Sequence, residues 1–88
     1  MNQRFNEMLY KCLNNMQLDG YDKIIYIMLL NISQEKGIIN PPLMYFYART
    51  KWSISRIRKS LSKLSQLGII TIKRVGLTEN NQYTLHDC

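Results

Sequence analysis

Residues 40–85 read NPPLMYFYARTKWSISRIRKSLSKLSQLGIITIKRVGLTENNQYTL. Asn40, Pro41 and Pro42 open a short aromatic helix over 42–49, because proline is tolerated in a first helical turn. Thr50, Lys51 and Trp52 form a turn. Ser53 is a capping residue for a second helix, which runs to Leu67 and stops at Gly68. Residues 69–75 are rich in β-branched side chains and predict a strand, with Ile70, Ile72 and Arg74 on one side. A polar hairpin loop follows over 76–81, and 82–85 return as a last strand. Across this layout the charge has one sign. From Lys36 to Thr78 there are nine Lys or Arg residues and no Asp or Glu.

The second helix is the informative one. Placed on a wheel of about 100° per residue, Ile54, Ile57, Leu61 and Leu64 share a stripe and belong to a core. Ser55, Arg56, Lys59, Ser62, Lys63 and Gln66 share the opposite side, with Arg58 on the flank. That outward face is basic and hydroxylic with no acid. A merely solvated helix usually mixes Glu with Lys, because such pairs at i,i+4 stabilise it. A face kept positive suits a helix in the major groove of DNA, where Arg, Lys and Ser reach base edges and phosphates.

Outward from this stretch, the N-terminal third adds two helices. Phe5, Met8, Leu9, Cys12, Leu13 and Met16 repeat at helical spacing over residues 3–17. The pattern breaks at residues 17–20. Asp19 then reads as an N-cap, with Asp22 in the capping-box place. Tyr21, Ile24, Ile25, Met28, Leu29 and Ile32 carry the stripe of a largely apolar central helix, which is expected to end at Lys36-Gly37. Ile38-Ile39 reads as a short first strand. Cys12 falls on the apolar face of its helix and Cys88 is the last residue, so the two suggest neither a metal site nor a disulfide framework. His86 reads as a surface residue without a partner.

The segment from Pro42 to Ile70 resembles the winged helix-turn-helix of GntR- and MarR-type regulators and of plasmid and phage replication-initiator modules. Trp52-Ser53 matches the apolar-Ser step into the recognition helix. Ile57 and Leu61 stand at its core offsets, and Leu61, Leu64, Gly68, Ile69 and Ile70 reproduce its exit. Asn81-Gln82-Tyr83-Thr84-Leu85 is similar to the Asn-x-Tyr-x-Leu strand that closes the wing in replication-type members. Two positions depart from the pattern: Lys51 stands where Gly is usual, and Tyr47 where a small Ala is usual. The resemblance implies a mainly α fold with a small antiparallel β-wing, in the order helix, helix, strand, helix, helix, strand, wing, strand. Residues 53–67 are then the recognition helix in the major groove. Residues 74–82 are a wing on the minor groove or backbone.

The expected partner is double-stranded DNA, with no cofactor, metal, membrane or small-molecule ligand. Ser53, Ser55, Arg56 and Lys59 are the expected base contacts. Arg49, Lys51, Arg58, Ser62, Lys63, Lys73 and Arg74 are expected on the DNA backbone. Thr78, Asn80, Asn81 and Gln82 line the wing. Tyr45, Tyr47 and Trp52 are read as packing residues rather than as platforms for single-stranded bases.

Length and composition bound the rest. Eighty-eight residues make one domain, divided here into an N-terminal helix over 1–18 and a DNA-binding unit over 40–85. The net charge is +6, and it is concentrated in the middle of the chain, where a polyanion would dock. The longest apolar run, residues 24–30, is too short to span a bilayer. Without a secretory leader, a cytoplasmic, nucleoid-associated location is expected. Triads, paired carboxylates and phosphate-binding loops are missing, so enzymatic activity is not expected. The leading function is a small transcriptional regulator. The alternatives are a replication or partition module of a mobile element, and a winged helix that binds an acidic protein. A homodimer through residues 1–18 is expected, since one recognition helix reads few base pairs.

Overall fold

In the N-terminal helix, Met8 and Cys12 are one helical turn apart, and both are buried against the next helix, with Phe5 and Leu9 packed beside them. The structure, a computed structural model, describes residues 3–33, 38–76 and 80–86. Lys36, Gly37, Thr78 and Cys88, which entered the sequence reading, lie outside the described residues. Helix α1 spans Gln3–Leu13, four residues shorter than expected. Asn15 ends it: its side chain accepts from the Gln17 amide at 2.9 Å, a local bond that competes with the helix. Met16 therefore leaves the stripe and stands 95% exposed, while Leu18 is buried in its stead.

Helix α2 spans Gly20–Ile32 and opens on the expected capping box. The Asp22 amide donates to Asp19 Oδ1 at 3.0 Å, and the Asp19 amide donates to Asp22 Oδ2 at 3.1 Å. Ser33 is its C-cap, and the expected stop at Lys36-Gly37 lies outside the described residues. There the Ser33 hydroxyl turns back to donate to the Leu30 carbonyl at 2.9 Å. The buried face also differs from the expected stripe. It is Asp22, Ile25, Tyr26, Leu29 and Leu30, whereas Tyr21 and Ile24 are exposed. In a helix apolar nearly all round, periodicity alone does not choose the inward face.

Strand β1 is Ile38–Ile39 and helix α3 is Leu43–Thr50, one residue later than expected because Pro42 is extended and serves as the N-cap. Phe46 anchors α3 in the core. Helix α4 spans Ile54–Gln66, with the Ser53 hydroxyl accepting from the Arg56 amide at 3.1 Å. At its exit Ile69 N–H donates to the Leu64 carbonyl and Gly68 N–H to the Ser65 carbonyl. This is a Schellman ending, and it requires the left-handed φ of +75° that Gly68 adopts.

Strand β2, Ile70–Lys73, is shorter than the expected 69–75, and β3 is Gln82–Leu85. They pair antiparallel with Ile72 opposite Tyr83, and β1 pairs on the other edge of β3 with Ile39 opposite Tyr83. The sheet order is thus β1-β3-β2. Among the described residues the protein is four helices and this small antiparallel sheet. The core is Ile25, Tyr26 and Leu29 of α2 against Phe46, Ile57, Leu64, Ile70 and Tyr83. His86 is exposed but not partnerless: its amide donates to the Ile69 carbonyl, its carbonyl accepts from the Tyr26 hydroxyl, and its ring nitrogen lies 2.7 Å from the Thr71 hydroxyl.

Candidate nucleic-acid interface

The turn between α3 and α4 sets the angle at which α4 is presented. Lys51 is left-handed, with φ 61° and ψ 14°, and its amide donates to the Tyr47 carbonyl at 2.8 Å. Thr50 completes the turn: its hydroxyl donates to the Phe46 carbonyl and accepts from the Trp52 amide. Trp52 packs edge-on against Tyr21 of α2, with ring centroids 4.8 Å apart. Tyr45 packs edge-on against Phe46. Both thus serve packing, while Tyr47 is partly exposed, with the Lys51 ammonium 5.4 Å from its ring.

Helix α4 buries Ile57, Ser60, Leu61 and Leu64. Its exposed side is Ser55, Arg58, Lys59, Ser62 and Gln66, with Ser53 exposed at the cap. Arg56 and Lys63, which the wheel groups with this face, stand at its edge and are only half-exposed. They lie on the flank toward α2, where Asp22 is fully buried. Lys63 Nζ is 2.8 Å from Asp22 Oδ2, and Arg56 Nη2 is 3.9 Å from Asp22 Oδ1. The Arg56 guanidinium also lies 4.3 Å over the Tyr21 ring and donates to the buried Ser60 hydroxyl at 3.2 Å. The acid missing from α4 is thus supplied by α2.

Burial alone would push the Asp22 carboxyl up. The hydrogen bonds from Lys63, the Asp19 amide and Ser60 outweigh it and hold Asp22 below its ordinary value. The same hydrogen bond to Asp22 raises the Lys63 ammonium. This cluster was missed in the sequence. Its signal was the position of Asp22, three and four residues before Ile25 and Tyr26, and so on the buried stripe.

The two flanks of α4 therefore differ in charge. Toward α2, a groove of about 470 Å³ is lined by Arg56, Lys59, Ser62, Lys63 and Gln66 together with the acidic Asp19. Toward the β2–β3 hairpin, a groove of about 490 Å³ is lined by Arg58, Ser62, Ser65, Gln66, Arg74 and Asn81 among others, and no acid lines it among the described residues. A neighbouring groove of about 450 Å³ continues past Arg58, Arg74 and Asn80 to Pro41, Pro42 and Met44. Arg58, Lys59, Lys73 and Arg74 form no ion pair among the described residues.

The hairpin residues are partly engaged within the molecule. Asn80 donates to the Asn40 carbonyl at 3.3 Å. Burial raises the Tyr83 hydroxyl, and a hydrogen bond with the Asn81 side chain partly offsets the rise. Gln82 is half-buried in β3. Lys73 and Arg74 are exposed at the end of β2. Arg49 is exposed and stacks on Tyr45 at 3.7 Å, with its Nη1 donating to the Tyr45 carbonyl.

Comparison with protein-family models, with curated proteins and with solved structures gives no match. Among the described residues no helix is long and apolar enough to cross a membrane.

Proposed function

We propose that this chain is a sequence-specific double-stranded DNA-binding protein of the winged helix-turn-helix type, acting as a small transcriptional regulator in the cytoplasm. The observation that carries the reading is the exposed side of α4. Ser55, Arg58, Lys59, Ser62 and Gln66 stand together there, continuous with a groove toward Arg74 that no acid lines among the described residues. A face with cations and hydroxyls, and no acid among the described residues, matches the phosphate and base-edge pattern of a major groove. The element order, the β1-β3-β2 sheet and the left-handed turn at Lys51 support the same reading.

In this reading Ser53, Ser55 and Lys59 approach base edges. Arg49, Lys51, Arg58, Ser62, Lys73 and Arg74 contact phosphates. The hairpin lies on the minor groove or backbone, with Asn80, Asn81 and Gln82 at its base. Arg56 reaches a base only by giving up Tyr21 and its approach to Asp22.

Selection of bound duplexes from a random pool tests this. A defined motif is expected for the wild type. Lys59→Ala should cost about 1–3 kcal/mol on that motif and relax the choice at one or two base pairs. A pool that never enriches would refute the reading. The position of the motif in a genome, at a promoter or at an origin repeat, separates a regulator from a replication module. The replication reading is supported by the resemblance of Asn81-Gln82-Tyr83-Thr84-Leu85 to the closing strand of replication-type winged helices.

A further inference from the structure

Helix α4 carries four cations, Arg56, Arg58, Lys59 and Lys63. Two of the four turn inward toward one carboxylate on another helix. Asp22 is fully buried and holds Lys63 at 2.8 Å and Arg56 at 3.9 Å. We infer that Asp22 is a positioning residue that acts as an internal counter-charge, withholding Lys63 and Arg56 from a duplex so that only the outward and hairpin-side cations of α4 engage it. The inference rests on the DNA-binding reading above and deepens it.

The physical argument begins with what each cation does on DNA. Every Lys or Arg that neutralises a phosphate releases counterions, and this term is blind to sequence. A helix that offered all four cations would bind any duplex more tightly. Its base contacts would then be a smaller share of the total. Neutralising two of them inside the protein lowers the uniform term and leaves the reading term intact.

Cohesion of α2 with α4 is the competing explanation, and it fits the observations less well. An ion pair between a buried carboxylate and partly exposed cations is weak evidence for stability, since apolar side chains of similar size often do as well or better. The α2–α4 interface already has Ile25, Leu29, Ile57 and Leu64 in one core. Asp22 also completes its capping box without needing either cation. Arg56 is the less completely held of the two. Its Nε and the Asp22 Oδ1 that its Nη2 approaches are both buried without a hydrogen-bond partner among the described residues, a cost that an arginine released to solvent would not carry at its Nε.

The test compares salt dependence on a random-sequence duplex for the wild type, Asp22→Asn, Lys63→Gln and Lys73→Gln, with circular dichroism confirming each fold. Asp22→Asn keeps the acceptor for the Asp19 amide and removes the charge. It should steepen the slope of log K against log salt by about one to two units. Random-duplex affinity at 0.1 M salt should then rise roughly five- to tenfold per freed cation. Lys63→Gln should leave the slope at the wild-type value, while Lys73→Gln lowers it by about one unit. If Asp22→Asn does not fold, Lys63→Gln decides alone. The inference is overturned by an Asp22→Asn slope equal to wild type, or by a Lys63→Gln loss equal to that of Lys73→Gln. Either result leaves DNA binding standing. A wild type with no salt-dependent affinity for duplexes is a different outcome and removes both readings together.

Discussion

At the scale of single residues, Lys51 and Asp22 pay opposite tributes to function. Lys51 holds a left-handed backbone, the position at which winged helices usually place Gly. A side chain there costs roughly 1–2 kcal/mol. Gly removes that strain but adds disorder to the unfolded chain. Lys51→Gly is therefore expected to raise stability by about 0.5–1 kcal/mol in urea unfolding. It should also weaken binding to every duplex alike, because a phosphate contact is lost. Equal affinity in the two proteins would remove Lys51 from the interface. Asp22 gives a pH signature. Its carboxyl is held below the ordinary value of 3.8, so its contribution is present above that value and is lost as pH falls through the lower folded one. The stability gap between wild type and Asp22→Asn should close on acidification below about pH 4. Lys63 and Tyr83, both raised, keep their contributions below their ordinary values of 10.5 and 10.0 and lose them at more alkaline pH. A gap that stays constant down to pH 2 would show that the buried carboxylate is not what the substitution removed.

At the scale of elements, α4 has two jobs that separate by residue. Ser53 caps the helix through the Arg56 amide, whereas Ser55 is exposed two residues on. Ser53→Ala should cost about 0.5–2 kcal/mol of stability, the usual range for a lost N-cap. Ser55→Ala should leave the unfolding midpoint in place and change only the duplex preference. If the two variants behave alike in unfolding, the cap is not stabilising α4. The same elements show what a sequence can disclose. The two short strands at 38–39 and 82–85, the Ser53 cap and the Gly68 stop were legible, because β-branched runs, a capping hydroxyl and a left-handed glycine each have a local cause. The end of α1 was not, because Asn15 redirects the backbone through its own side chain. Such local bonds compete closely with another helical turn. The inward turn of Arg56 and Lys63 was hidden for a different reason. A wheel sorts one helix by its own residues, and the deciding charge is on α2.

At the scale of the whole molecule, the question is how many copies meet the DNA. The stripe expected to drive pairing is largely covered within the chain, with Met8 and Cys12 buried against α2. The apolar surface left near α1 is Tyr10, Leu13 and Met16. We propose that a two-fold dimer uses these residues and reads an inverted repeat with half-sites about one helical turn apart. Sedimentation at micromolar concentration should give a dimer that the Leu13→Asp, Met16→Asp double variant converts to a monomer. A monomeric wild type that binds one half-site as tightly as two would end that proposal. The central claim is that the exposed side of α4 and the hairpin side beside it form one DNA-binding surface. Backbone amide NMR during titration with a selected duplex tests it most directly in a chain of 88 residues. Shifts concentrated at Ser55, Arg58, Lys59, Ser62, Lys73 and Arg74, with the exposed face of α1 silent, are the predicted result. Shifts confined to α1 and α2, or none at saturating duplex, would contradict it.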